Sequence, residues 1–217
     1  MHYSALPNPH YAHSQRQAYD AARDAIIKRS RDMQKSAKGA VYCLHRGDAK
    51  GAARELAAVE ALARDTAPAL ASEPSLRFGA FSAAMEEYAE AAIFAHYLSH
   101  GTLLPSSALP LATRDEYLGG LLDFSGELNR HAVLRATARD VAAVARAREL
   151  VDVIFGAMLQ FDLRNGPLRK KMDTLKYTLK KLESLLYELS LASALKSTRL
   201  DGEAEPAAAP AADGADE

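Results

Sequence analysis

Over residues 14–45, apolar side chains recur every three or four positions. Tyr19, Ala22, Ile26, Met33, Ala37, Ala40 and Leu44 share one face, which predicts a long amphipathic helix. The HRGD at 45–48 reads as a tight turn, with Gly47 suited to ending that helix and Asp48 to capping the next. The same periodicity predicts helices over about 49–71, 75–99, 114–136 and 141–163, the last with Asp140 as its N-cap. The segment LLPSSALPLAT carries two prolines and reads as a connection with room for a short helical turn. Asn165-Gly166-Pro167 makes the next break, and Pro167 fits the first turn of a final helix reaching about residue 197. Strand signals are nearly absent, so the fold class is all-α, with six or seven helices in one domain over about 14–198.

The final helix is the most regular. Leu168, Met172, Leu175, Leu179, Leu182, Leu186 and Leu189 step by four and three. Such a seam packs either within its own bundle or against another subunit, and its spacing fits both.

Composition narrows the class further. The chain has 217 residues, 48% hydrophobic and 25% charged, with a net charge of −1. That balance is ordinary for a globular protein and gives no overall pull toward nucleic acid or membrane, so any such attraction must be local. Cys43 is alone, which excludes an internal disulfide framework and makes a reducing cytoplasm the natural compartment. No run of about 18 apolar residues predicts a membrane span, and the N-terminus lacks the apolar core of a signal peptide. Residues 1–13 read as flexible. The Ala-, Pro- and acid-rich tail over 199–217 has nothing to bury and reads as disordered.

Candidate chemistry centres on EEYAEAAIFAHY at 86–97, where acids interrupt an otherwise apolar helix. Glu87 and Glu90 are three apart and so lie on one side. On a second helix, YLGGLLDFSGELNRH holds Asp123 and Glu127 four apart among Leu118, Leu121, Leu122, Phe124 and Leu128. Gly119, Gly120 and Gly126 lie nearby, and interior helix glycines are tolerated where a backbone or ligand comes close. Each pair could simply edge its helix and meet solvent or arginine. If the helices pack together, four acids converge and require protons or a cation. Oxygen-only donors suit Mg²⁺ or Mn²⁺, ions that activate water against a phosphodiester. Di-iron chemistry is excluded because no Glu-x-x-His motif occurs. No phosphate-binding glycine loop, zinc cluster or Gly-x-Ser-x-Gly is present.

Basic residues form a second pattern. Lys28, Arg31, Lys35 and Lys38 run along the first helix, roughly opposite its apolar face, and Arg169, Lys170, Lys171, Lys176, Lys180 and Lys181 cluster on the last. Such stripes are solvated faces or tracks for a nucleic-acid backbone. No base-reading motif accompanies them, so any binding would be driven by backbone and shape.

Five stretches together resemble the translin family, which includes translin and its partner, translin-associated factor X. They are SRDMQKSAKGAVYCLHRGD, the LRF at 76–78, the EYAEA at 87–91, YLGGLLDFSGELNR, and LRNGPLRKKMDTLKYTLKKLESLLYELSL. The resemblance covers about residues 20–190. It implies a seven-helix protomer, assembly into a hollow octamer alone or with a related translin-type subunit, and binding of single-stranded RNA or DNA. In the X-factor branch, acids in these patterns serve a metal-dependent endoribonuclease. Glu87 and Glu90 match one pattern, Asp123 and Glu127 the other. The resemblance therefore implies Glu87, Glu90 and Asp123 as ligands of Mg²⁺ or Mn²⁺, with Glu127 a fourth ligand or the group that orients water. Arg77 carries over as a nucleic-acid contact, but Gly79, Ala80, Phe81 and Ser82 replace the family's other contact residues. Arg139 in ATARD stands where a nucleotide-binding glycine would be, so no nucleotide site is expected. The leading expectation is a metal-dependent endoribonuclease acting on single-stranded RNA. The alternatives are a non-catalytic nucleic-acid holder and a helical scaffold.

Overall fold

The computed structural model describes residues 9–202. The leading eight residues and the tail from residue 203 lie outside that range, with most of the expectations of flexible ends; residues 9–13 and 199–202, read as part of those ends, are helical. Six α-helices follow in order: α1 (Pro9–His45), α2 (Ala49–Ser72), α3 (Ala80–His100), α4 (Arg114–Thr137), α5 (Val141–Met158) and α6 (Pro167–Gly202). Two 3-10 turns, Pro74–Arg77 and Ser106–Ala108, complete the described residues. Six helices agree with the six or seven that the periodicity predicts, and the LLPSSALPLAT connection holds only a single 3-10 turn. No described helix is long and apolar enough to cross a membrane.

Local chemistry sets the breaks. Gly47 takes a positive φ of 74° after α1, and the Asp48 side chain accepts from the Gly51 N–H to start α2. Helix α3 starts at Ala80 rather than near residue 75, because Gly79 adopts φ 87° and ψ −116°, a conformation that stops helix propagation. A capping box between Thr113 and Glu116 opens α4, and Asp140 caps α5. The link between α4 and α5 carries a departure from rule: Arg139 sits at φ 58°. Its N–H donates to the Ala136 carbonyl at 2.9 Å, and Asp140 N–H donates to Arg135 at 3.0 Å. This is the left-handed helix stop that glycine usually provides.

Helix α3 is central, packed on α1 and α4, while α6 lies across α4 and α5. The core joins Met33, Val59, Met85, Ile93, Phe94, Phe124, Leu128, Val144, Ile154, Leu175 and Leu182, all sealed from solvent. Burying each of the larger side chains contributes about 1.5–3 kcal/mol. The leucine seam packs within its own chain at Met172, Leu175 and Leu182. Farther along α6, Tyr187, Leu191 and Leu195 stay exposed.

Candidate functional site: an acid cluster where two helices cross

The crossing of α3 and α4 depends on two glycines. A Cβ on Gly120 would lie 2.6 Å from the Glu86 carbonyl oxygen and 2.7 Å from the Glu90 nitrogen, closer than real contacts permit. A Cβ on Gly119 would strike the Glu86 carboxyl group, also at 2.6 Å. Bare backbone at these positions lets α4 close on the acidic stretch of α3. Asp123 and Glu127, one and two turns farther along α4, are thereby brought to Glu90.

The electrostatics of Glu90 record that convergence. Its carboxyl is pushed up to about 8, first by burial and then by the charges of Asp123, Glu87 and Glu127, with Lys171 opposing. It is 9% exposed. Among the described residues it has no salt bridge. The four acids singled out in the sequence therefore form one electrostatic unit, and its most buried member keeps its proton at neutral pH.

The other three meet protein cations. Lys38 of α1 reaches Glu87 at 3.3 Å. His45, the last residue of α1, contacts Glu127, which also faces Arg130 at 3.5 Å. Lys171 of α6 holds Asp123 and, at 2.5 Å, Glu86. Burial works against the charge on Lys171, but the hydrogen bonds to Asp123 and Glu86 outweigh it and raise its pKa. Among the described residues no group of three or more His, Cys, Asp or Glu side chains is arranged to hold a metal ion. The donors nevertheless have the right chemistry for a hard divalent cation, being carboxylate oxygens only. The ammonium between Asp123 and Glu86 also shows that positive charge is accommodated here. The residues fit such an ion in kind, and their rotamers are set by protein cations.

Sequence reasoning missed Glu86, Lys171 and His45. The signal for Glu86 was the Gly119-Gly120 pair, which leaves room for its carboxylate. Lys171 and His45 arrive from helices distant in sequence. Around the cluster, Gly126 is exposed and nothing lies within 4 Å of where its Cβ would be, so one side is open.

The basic residues divide by role. Lys28, Arg31, Lys35 and Lys38 are all exposed on α1, and the ridge ends at the Lys38–Glu87 contact, on the border of the acid cluster. Arg77, expected to contact nucleic acid, is committed elsewhere. It donates to Glu116 at 3.1 and 2.6 Å and to the Leu111 carbonyl at 3.0 Å, and it lies over the Phe81 ring. Glu116 is 1% exposed, so neutralising that carboxylate is what Arg77 does in this fold. A groove of about 450 Å³ between α4 and α6, lined by Val133, Tyr177, Lys180 and Lys181 among others, lies away from the acids.

Taken together, the bundle and its crossing define an all-α protein whose acid pairs are gathered on a glycine-spaced helix contact, with a cationic helix alongside. The translin family model matches residues 21–193, and the chain belongs to that family. Translin of Gallus gallus is 36% identical over 77 residues, 36% of this chain and 34% of that protein. Translin of Homo sapiens is 33% identical over 84 residues, 39% and 37% respectively. The chain thus spans a little over a third of the length of these curated relatives. Apo-NeC3PO matches with a TM-score of 0.77 at 23% identity, over 86% of this chain and 99% of that one. The AfC3PO–duplex RNA complex matches with a TM-score of 0.76 at 24% identity, over 84% and 96%. Likeness at that identity speaks for the fold.

Proposed function

We propose that this chain is a nucleic-acid-binding subunit of an oligomeric translin-type assembly, on the catalytic, X-factor-like side of the family. In this reading it hydrolyses phosphodiester bonds of single-stranded RNA. The observation that carries the catalytic part is the gathering of Glu87, Asp123 and Glu127 around Glu90, a buried carboxyl that has no ion pair among the described residues. A hydrolase at phosphate needs concentrated negative oxygen donors, and a plain scaffold does not.

Glu87, Glu90 and Asp123 would hold Mg²⁺ or Mn²⁺, with Glu127 a fourth donor or the acceptor that orients water. When bound, such an ion supplies positive charge to a phosphate oxygen and lowers the pKa of coordinated water. The exposed ridge from Lys28 to Lys38 would carry the backbone of the strand toward the cluster, and the bare surface at Gly126 leaves it room. RNA as the ligand class gains support from the AfC3PO complex, which holds duplex RNA; octameric, self-associated or mixed assembly follows from the family resemblance, and cytoplasmic residence from the single Cys43.

Labelled single-stranded and duplex RNA incubated with purified protein in Mg²⁺, Mn²⁺ or EDTA tests this, with particle mass measured in parallel. Cleavage of single strands in a divalent ion, abolished by EDTA, is expected of a large oligomer. Binding without cleavage in any divalent ion points to the second reading, a non-catalytic holder. That reading draws its own support from Lys38, Lys171 and Arg130, cations that already face three of the acids.

A further inference from the structure

Lys171 is a feature of the acid cluster that neither the spacing of the acids nor the phosphodiesterase reading accounts for. It stands five residues into α6, yet its ammonium joins three helices, meeting Glu86 on α3 and Asp123 on α4. The place is built. Gly119 leaves the volume that the Glu86 carboxyl occupies, and that carboxyl is an extra acid with no role in holding a strand. The lysine side chain is 26% exposed, so water screens the contact only in part. A lysine on a solvated face needs none of this.

We propose that Lys171 is a resident counter-ion that competes with the divalent ion for Asp123, and that Glu86 is the acid on which it rests once Asp123 is released. The inference builds on the metal-binding reading of the cluster. Two positive centres cannot share one carboxylate at contact distance without strong mutual repulsion. Loading the site therefore requires the ammonium to let go of Asp123. Glu86, one helical turn before Glu90, keeps it paired and out of the way. The ammonium thus neutralises the cluster when no dication is present and sets a concentration threshold for occupancy.

The test is Mn²⁺ binding by the full chain, read from the electron-spin resonance of free Mn²⁺, in wild type, Lys171→Met and Lys171→Arg. Methionine removes the competing charge at similar length, and affinity is expected to rise about ten-fold or more. Arginine keeps the charge, and affinity is expected to stay near wild type. Wild-type binding with no gain in a folded Lys171→Met protein overturns the inference while leaving the metal reading intact. Binding to neither protein overturns both. A second measurement needs no substitution: acetylation of wild-type lysines, mapped by mass spectrometry with and without Mg²⁺. Lys171 is expected to become at least about two-fold more reactive in Mg²⁺ as its contacts loosen, while Lys176 and Lys180 do not change. Equal reactivity of Lys171 in both conditions contradicts the exchange.

Discussion

Replacing Glu90 by Gln isolates the electrostatic strain of the acid cluster without changing its shape. The carboxyl titrates at about 8 instead of the ordinary 4.5. At about 1.36 kcal/mol per pH unit, that gap corresponds to roughly 5 kcal/mol. The native state holds this proton at pH values where the unfolded chain has already released it. Stability is therefore full below about pH 4.5 and falls as pH rises to about 8. Glutamine carries no such penalty. Solvent screening and recruited ions relieve part of it, so about 2 kcal/mol of the difference between variant and wild type should develop from pH 5 to pH 8.5. Urea unfolding of both proteins at matched subunit concentration, at pH 5, 7 and 8.5 without divalent ions, measures this. The variant should gain on wild type steadily with pH. A difference that stays flat across the range refutes the convergence of charge on Glu90.

Three other outcomes follow from the same geometry. Gly120→Ala should cost about 1–3 kcal/mol in urea unfolding, because its Cβ meets the backbone of α3 and the helices must separate; an unchanged midpoint would mean the crossing is looser than described. Arg77→Met leaves Glu116 buried without its partner, so thermal unfolding should show a loss of about 3–5 kcal/mol, whereas unchanged stability with weakened RNA binding would return Arg77 to the nucleic-acid face. Substituting Lys28, Arg31 and Lys35 together by Ala should weaken single-stranded RNA binding and lower the slope of log affinity against log salt by about 2; an unchanged slope would assign the ridge to solvent.

Much of this arrangement was legible along the chain, for identifiable reasons. Helix stops depend on a few neighbouring residues, so Gly47, Asp48, Asp140 and Pro167 marked theirs correctly. Periodicity starts α3 too early because residues 75–78 are compatible with helix, and only the backbone angles of Gly79 exclude it. Periodicity carries α5 past its end at Met158 because the apolar Phe161 and Leu163 keep its spacing. Of the site, the pairs Glu87/Glu90 and Asp123/Glu127 were visible as spacings on single helices. Their partners were not, since Lys171, His45 and Lys38 come from α6 and α1, and only packing brings them in. Arg77 shows the converse case. Its neighbours in sequence suggest a ligand contact, and packing adds a buried carboxylate 39 residues away as its partner.

The claim on which everything rests is that these carboxylates act together on a phosphodiester, and Asp123→Asn meets it most directly. The substitution keeps size and shape but removes one negative donor from the cluster. With labelled single-stranded RNA and Mg²⁺ or Mn²⁺, the wild-type protein should cleave and the variant should lose cleavage by at least about 100-fold while still binding RNA. Cleavage that survives in Asp123→Asn at the wild-type rate would contradict the account.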